Sequence, residues 1–153
     1  MFSAPMLPHA AQIADEWAAL HRHLTFAVHD REVHYFTALA LASPDELFAH
    51  MLLKKLRLSK KLGNDASATR LVGLNSQVEF IAGEGQRRSV RLLHSPGPYD
   101  ASNELSIASL TAAGLIGLSE GQAILWPDPA GEFRPLKVTR IAAPLPGRML
   151  QYA

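Results

Sequence analysis

Apolar residues recur at two different periods along this chain. From residue 9 to residue 62 they stand three and four positions apart, the spacing of one face of an α-helix. From residue 71 to residue 141 they tend to alternate with polar residues, the spacing of a half-buried strand. The polar stretch 64–70, NDASATR, separates the two patterns. We therefore predict a helical part followed by a sheet part, with the boundary in this stretch.

The helical part is predicted to contain one N-terminal helix and a helical pair. The three helices span 9–23, 31–41 and 44–62. Ser43, Pro44 and Glu46 have the side chains of a capping box, with Ser43 at the N-cap, and Gly63 ends the last helix. So short a link between the second and third helices makes them an antiparallel hairpin.

The sheet part is predicted to contain five strands and one short helix. The strands span 71–82, 87–94, 105–109, 122–126 and 132–141. The helix spans 111–116 and stops at Gly117. The predicted fold class is α+β, with N-terminal helices that include a short hairpin, followed by an antiparallel sheet with one short helix. The predicted division is a 1–28 extension, a 29–70 hairpin and a 71–153 sheet domain.

Composition excludes several classes of function. The formal net charge is only +1, so no strong global field attracts the protein to nucleic acid or to an anionic membrane. Since cysteine is absent, disulfides, thiolate zinc sites and cysteine nucleophiles are excluded. The N-terminus has no leader pattern, and nowhere do 18 apolar residues stand together. We expect a cytoplasmic protein that is not bound to a membrane.

No pattern of catalytic or metal-binding residues emerges from the sequence. The seven histidines include His21 and His23, which lie two apart, and residues two apart on a helix face different directions. The chain has no G-x-S-x-G elbow and no P-loop. We therefore expect no metal, no cofactor and no enzymatic activity.

Two charged groups have both a structural and a functional interpretation. Asp45 and Glu46 lie at the tip of the hairpin. There they could stabilise the N-terminus of the helix by capping, or they could jointly hold a divalent ion. Capping is the favoured interpretation. A basic stretch near the end of the same helix complements the helix dipole or contacts phosphate or a protein partner. No aromatic residues that would stack bases are interleaved with it, so stable sequence-specific DNA binding is not expected. Its residues are Lys54, Lys55, Arg57, Lys60 and Lys61.

The segment LSIASLTAAGLIGLSEGQAI resembles a motif of the bacterial Gre transcript-cleavage factors (GreA/GreB). In that motif a serine, a hydrophobic residue and a second serine lead into Pro-Leu-Gly and then a Leu-Leu-Gly stop. The stretch 74–80, LNSQVEF, resembles the opening strand of the same domain. The similarity covers about residues 25–142 and is greatest to the short-armed branch, the regulator of nucleoside diphosphate kinase (Rnk). The matching positions are Ser106, Ile107, Ser109, Leu115, Ile116, Gly117 and Gly121.

The resemblance implies a short coiled-coil hairpin and an FKBP-like C-terminal domain. It also implies binding to RNA polymerase at the rim of the secondary channel. The docking motif corresponds to Ser109, Leu110, Thr111 and Ala112, where Leu110 replaces the proline and Ala112 the glycine of the family; Gln122 replaces the aspartate after Gly121. A helix over 44–62 is only about 28 Å long, shorter than the arm of a cleavage factor, so we expect no stimulation of transcript cleavage.

Two other functions compete with this one. The FKBP-like domain alone favours a peptidyl-prolyl isomerase, although the aromatic residues of 71–153 are scattered along the sequence. Alternatively, the chain is a self-associating interaction protein in which Trp17 and the first helix supply a dimer face.

Overall fold

The computed structural model of the protein describes residues 9–63, 71–94 and 103–142. In chain order the elements are α1 (Ala10–Leu20), β1 (Ala27–His29), α2 (Asp30–Ala42), α3 (Glu46–Leu58), β2 (Lys60–Leu62), β3 (Gln77–Ala82), β4 (Gln86–Leu93), β5 (Glu104–Ser106), α4 (Leu110–Leu115), β6 (Ala123–Pro127) and β7 (Phe133–Ile141). The predicted boundary at 64–70 lies outside the described residues.

Five strands form one sheet in the order β5–β4–β3–β7–β6. β3 pairs antiparallel with β4 and β7, and β7 pairs antiparallel with β6, whereas β5 runs parallel to β4. The predicted α+β class is confirmed, with a parallel edge that the sequence did not indicate. The predicted turn between β3 and β4 is also present, because Gly83 and Gly85 have the positive φ angles that this tight connection requires.

The predicted helical pair is present and short. α2 and α3 have 13 residues each and pack against each other across the connection 43–45. At 1.5 Å per residue each helix is about 20 Å long. The arm is therefore shorter than the 44–62 pattern predicted.

The prediction that the third helix continues to residue 62 is wrong. α3 ends at Leu58, and residues 60–62 form β2, which pairs in parallel with β1. The Ser59 hydroxyl donates to the Lys55 carbonyl at 2.6 Å, and the Lys60 N–H donates to the Phe26 carbonyl at 2.8 Å. These bonds replace the main-chain hydrogen bonds of a continuing helix, so α3 ends five residues before Gly63.

One hydrophobic core joins the helices to the sheet. Trp17 of α1, Phe36 of α2, Phe48 of α3 and Phe80 of β3 are all completely buried within it. α1 packs against α3 and β6, and α3 packs against α4. α4 therefore lies between α3 and β7 of the sheet.

Candidate docking site

Two serines of the quoted motif shape the turn that leads into α4. Ser109 is the N-cap residue, and its Oγ accepts a hydrogen bond from the Ala112 N–H at 3.2 Å. The same hydroxyl donates to the Ser106 carbonyl at 2.8 Å, while the Ser106 Oγ accepts from the Ala108 N–H at 3.0 Å. Because these bonds satisfy free donors at the start of the helix, they give the turn a defined conformation.

α4 is held closely against the sheet. The indole Nε1–H of Trp126 donates to the Leu110 carbonyl at 2.8 Å. A Cβ placed on Gly114 would lie 2.7 Å from Leu136 Cδ2 and 2.8 Å from Trp126 Cδ1. Only a residue without a side chain permits this approach, so the first turn of α4 has a constrained position.

The four predicted docking residues differ in exposure. Ser109, Leu110 and Thr111 are partly exposed, whereas Ala112 is completely buried. The assignment of Ala112 as a contact residue is therefore corrected: its side chain packs into the core beneath the turn. The surface that a partner can reach here consists of the first three residues.

These three residues line a cavity of about 580 Å³. It lies between the start of α4, the β3–β4 turn and the β6–β7 turn, and Asp45 at the tip of the helical pair forms part of its wall. Its apolar lining includes Leu105, Leu110, Trp126, Pro127, Pro135 and Leu136. The size and apolar lining are those of a site that accepts a small ligand or an apolar side chain.

An ion pair borders the cavity. The Arg134 Nε–H donates to Asp128 Oδ2 at 2.9 Å, and the guanidinium lowers the pKa of the Asp128 carboxyl. The same carboxylate accepts from the Ala130 and Glu132 N–H groups, which fixes the β6–β7 turn. The sequence analysis did not identify Asp128 or Arg134 as part of a site. The turn sequence that follows Trp126 was the one feature that could have indicated them.

Asp45, not Ser43, is the N-cap of α3. The Asp45 carboxylate accepts from the Phe48 N–H at 3.1 Å, and the Ser43 Oγ accepts from the Asp45 N–H at 3.1 Å. The predicted capping box is thus shifted, since Ser43 stabilises the turn before the helix instead. Glu46 is the first residue of α3 and is exposed. Among the described residues no group of three histidine or acidic side chains converges on a possible metal position.

Lys55 cannot contact phosphate, because it is only 1% exposed. Its ammonium donates to the Ala113 carbonyl at 3.2 Å and also to the Gly114 carbonyl. It lies 5.4 Å from the ring centroid of Phe26 and 5.1 Å from that of Trp126. Burial lowers the pKa of this ammonium well below its usual value. Lys55 therefore joins α3 to the last turn of α4, and its assignment to the basic surface is wrong.

The other four predicted cations differ in their partners and in their exposure. Lys54 pairs with Asp15 of α1 at 2.7 Å. The Lys61 ammonium donates to the Leu56 and Ser59 carbonyls at 2.5 and 3.0 Å, which satisfies the end of α3. Arg57 and Lys60 are exposed.

Trp17 does not supply a surface for self-association. It is completely buried, stacks on Phe26 and lies edge-on to Trp126. The apolar periodicity of the first helix predicted correctly that Trp17 packs in the core. Because Trp17 is buried, it cannot form part of a dimer face.

Comparison with known proteins shows the fold. The structure titled "Prokaryotic transcription elongation factor GreA/GreB from Nitrosomonas europaea" is similar, with a TM-score of 0.55 and 18% sequence identity over 78% of this chain and 98% of that one. This chain has a Gre-type fold. The GreA factor homolog 1 protein of Thermus thermophilus covers 88% of this chain and 95% of its own at 19% identity, with a TM-score of 0.39. No protein-family model and no curated protein matches the sequence.

None of the described helices has both the length and the apolar character needed to cross a membrane.

Proposed function

We propose that this protein is a non-enzymatic transcription regulator that docks on RNA polymerase near its secondary channel. The observation that carries the proposal is the partly exposed Leu110, which stands beside an apolar cavity at the start of the constrained helix α4. The turn 109–111 resembles in sequence the docking motif of the Gre-type factors, and the similarity of the fold to that of a prokaryotic transcription elongation factor supports the proposal. The short helical pair favours the Rnk-type branch.

The chemistry of the site favours binding over catalysis. Several polar side chains around the cavity already have structural partners: Asp45 and Ser109 cap helices, and Asp128 pairs with Arg134. A general acid or base needs a titratable group that is available to a substrate. An apolar surface with satisfied polar groups suits a protein partner better.

The short helical pair supports a regulator that does not stimulate transcript cleavage. Each helix is about 20 Å long, and Asp45 at its tip is engaged as an N-cap beside the cavity. Its carboxylate is therefore committed to this protein's own helix. We expect no trimming of the RNA 3′ end when the protein is added to a stalled transcription complex. Trimmed RNA in that assay would contradict this part of the proposal.

Leu110→Asp tests the docking site directly. The change places an uncompensated charge in the contact, which costs binding energy on desolvation. The variant should still fold, because Leu110 is partly exposed and an acidic residue is favourable at the first position of a helix. Tagged wild-type protein should retain purified RNA polymerase, a Gre factor should compete, and the variant should lose binding at least about tenfold, equivalent to about 1.4 kcal/mol.

Leu20→Asp is the matched control for this experiment. Leu20 is 50% exposed at the end of α1 and does not line the cavity. The same chemical change at this position should leave polymerase binding unchanged. If Leu110→Asp binds as well as wild type, or if both variants lose binding equally, the docking site is not at α4.

A peptidyl-prolyl isomerase is the second candidate function. The cavity volume lies within the range of small-ligand sites, and Trp126 contributes to its wall. A proline-isomerisation assay separates the two functions, because a docking protein should show no catalysis. Catalysis that disappears in Leu110→Asp would establish the isomerase instead.

A further inference from the structure

The face of the sheet turned away from α4 carries basic side chains. Alternate residues such as Val78, Phe80 and Val90 are completely buried on the α4 side. The intervening residues of β3, β4 and β7 therefore project from the opposite side. We call the cations on this side the outer face; they are Arg87, Arg91, Lys137 and Arg140.

The register of the strands places these cations close together. Arg87 of β4 and Lys137 of β7 are both paired with Ile81 of the strand between them. Adjacent strands lie about 4.8 Å apart, so the two Cα atoms are about 10 Å apart. Arg140 lies in the next row, where it pairs with Glu79. Arg87, Lys137 and Arg140 are exposed, and Arg91 is partly exposed.

Two carboxylates lie among these cations, Glu79 beside Arg140 and Glu104 beside Arg91, so Arg87 and Lys137 are the two outer-face cations with no carboxylate opposite them. Glu79 is the one acidic residue of β3, and its carboxylate accepts a hydrogen bond from Thr139 at 3.1 Å. At the β5 edge Glu104 is paired with Arg91 in the register. Within residues 9–63, 71–94 and 103–142, no ion pair involves any of the four outer-face cations. Because the whole chain has a formal charge of only +1, the outer face results from a segregation of charge.

We propose that the outer face binds the phosphate backbone of duplex nucleic acid without sequence preference. Arg87 and Lys137 are exposed and have no carboxylate opposite them, so a polyanion complements the charge of this part of the face. Ile81, which lies between Arg87 and Lys137, is partly exposed, and neither cation is paired with an aromatic residue. This part of the face therefore has no aromatic platform of the kind on which single strands stack. Phosphate contacts alone position a duplex but do not read its sequence.

The position of the outer face argues against a peptide as its ligand. β3 and β7 are interior strands whose backbone groups pair on both sides, and β4 lies between β3 and β5. No free strand edge is therefore available there for a peptide to extend the sheet. The inference is independent of the polymerase proposal, because α4 and the cavity lie on the other side of the sheet.

Fluorescence anisotropy with a short labelled DNA duplex of arbitrary sequence tests this inference. The full chain should bind at low salt, and log K should fall against log salt with a slope of about −2.7 to −3.6, as expected for three or four neutralised phosphates. Arg87→Glu/Lys137→Glu should weaken binding at least about tenfold. Far-UV circular dichroism of the variant checks that it remains folded.

Arg22→Glu/Arg31→Glu is the matched control, because it makes the same change in net charge at exposed residues of the helical part that belong to neither the outer face nor the predicted basic stretch. This variant should retain at least half of the wild-type affinity. The proposal is overturned by the absence of duplex binding at low salt, or by an equal loss in both double variants. Tighter binding to single-stranded DNA or to polyglutamate than to the duplex would also overturn it.

Discussion

The indole Nε1–H of Trp17 donates a hydrogen bond to the Leu125 carbonyl at 2.7 Å. The Leu125 N–H in turn donates to His21 Nε2 at 3.0 Å. Leu125 belongs to β6, the edge strand of the sheet. The side chains of Trp17 and His21 thus bond both the carbonyl and the N–H of Leu125. Because these groups of the edge strand are occupied, α1 protects β6 from pairing with a strand of another chain.

His21 should make the stability of the protein depend on pH. Its Nδ1 lies 2.7 Å from the Trp17 carbonyl, which requires an N–H at this position, and Nε2 accepts from Leu125. The ring is therefore neutral in the fold. Burial lowers its pKa, and the nearby Lys55 and His23 lower it further.

The sign of the effect follows from this lowered pKa. Because the unfolded chain binds a proton near pH 6.5 and the folded chain only at lower pH, the stabilisation is complete above pH 6.5 and is lost as the pH falls. Urea unfolding at pH 8 and pH 5.5 should show a smaller free energy of unfolding at the lower pH. In His21→Gln this difference should shrink, whereas the exposed control His50→Gln should behave as wild type. Equal pH dependence in all three proteins would contradict the assignment.

Lys55→Ala and Lys54→Ala should have very different effects although the residues are adjacent. Removing Lys55 leaves a cavity between the Phe26 and Trp126 rings and leaves two carbonyls of α4 without their donor. We expect a loss of about 2 kcal/mol or more in the free energy of unfolding. The ion-pair partner of Lys54 is the exposed Asp15, and such pairs contribute little to stability, so removing Lys54 should have little effect. Chemical denaturation measures both; hydrogen exchange should show reduced protection of α4 in Lys55→Ala alone. A stable Lys55→Ala variant would show that the ammonium does not hold α4.

Gly114→Ala should destabilise the protein although alanine favours helices. The new Cβ would contact Leu136 and Trp126 at less than 3 Å, and overpacking of this kind costs about 1–3 kcal/mol. This exceeds the gain in helix propensity of about 1 kcal/mol. Gly63→Ala is the control, since a Cβ there meets nothing within 4 Å. Thermal denaturation should give a lower Tm for Gly114→Ala only; an unchanged Tm would indicate that α4 can shift without cost.

Local patterns were sufficient to predict several elements of this fold. The spacing of Ile13 and Trp17 predicted α1, and the apolar run 111–116 with the stop at Gly117 predicted the short helix α4. The α+β class followed from the change in apolar period. These predictions succeeded because each depends on backbone geometry within a few residues, which side chains along the segment determine directly.

The placement of Lys55, Lys60 and Leu125 needed the tertiary structure. A lysine in a basic helical stretch normally faces water, and only the approach of α4 carbonyls and two aromatic rings explains the burial of Lys55. Similarly, Lys60 leaves the helical pattern because the Phe26 carbonyl is available as an acceptor. The sequence alone determined most of the helices and strands, because their apolar periods and end signals are local. The assembled fold decided which polar groups are satisfied by distant partners, because that depends on desolvation and on contacts between residues far apart in the chain.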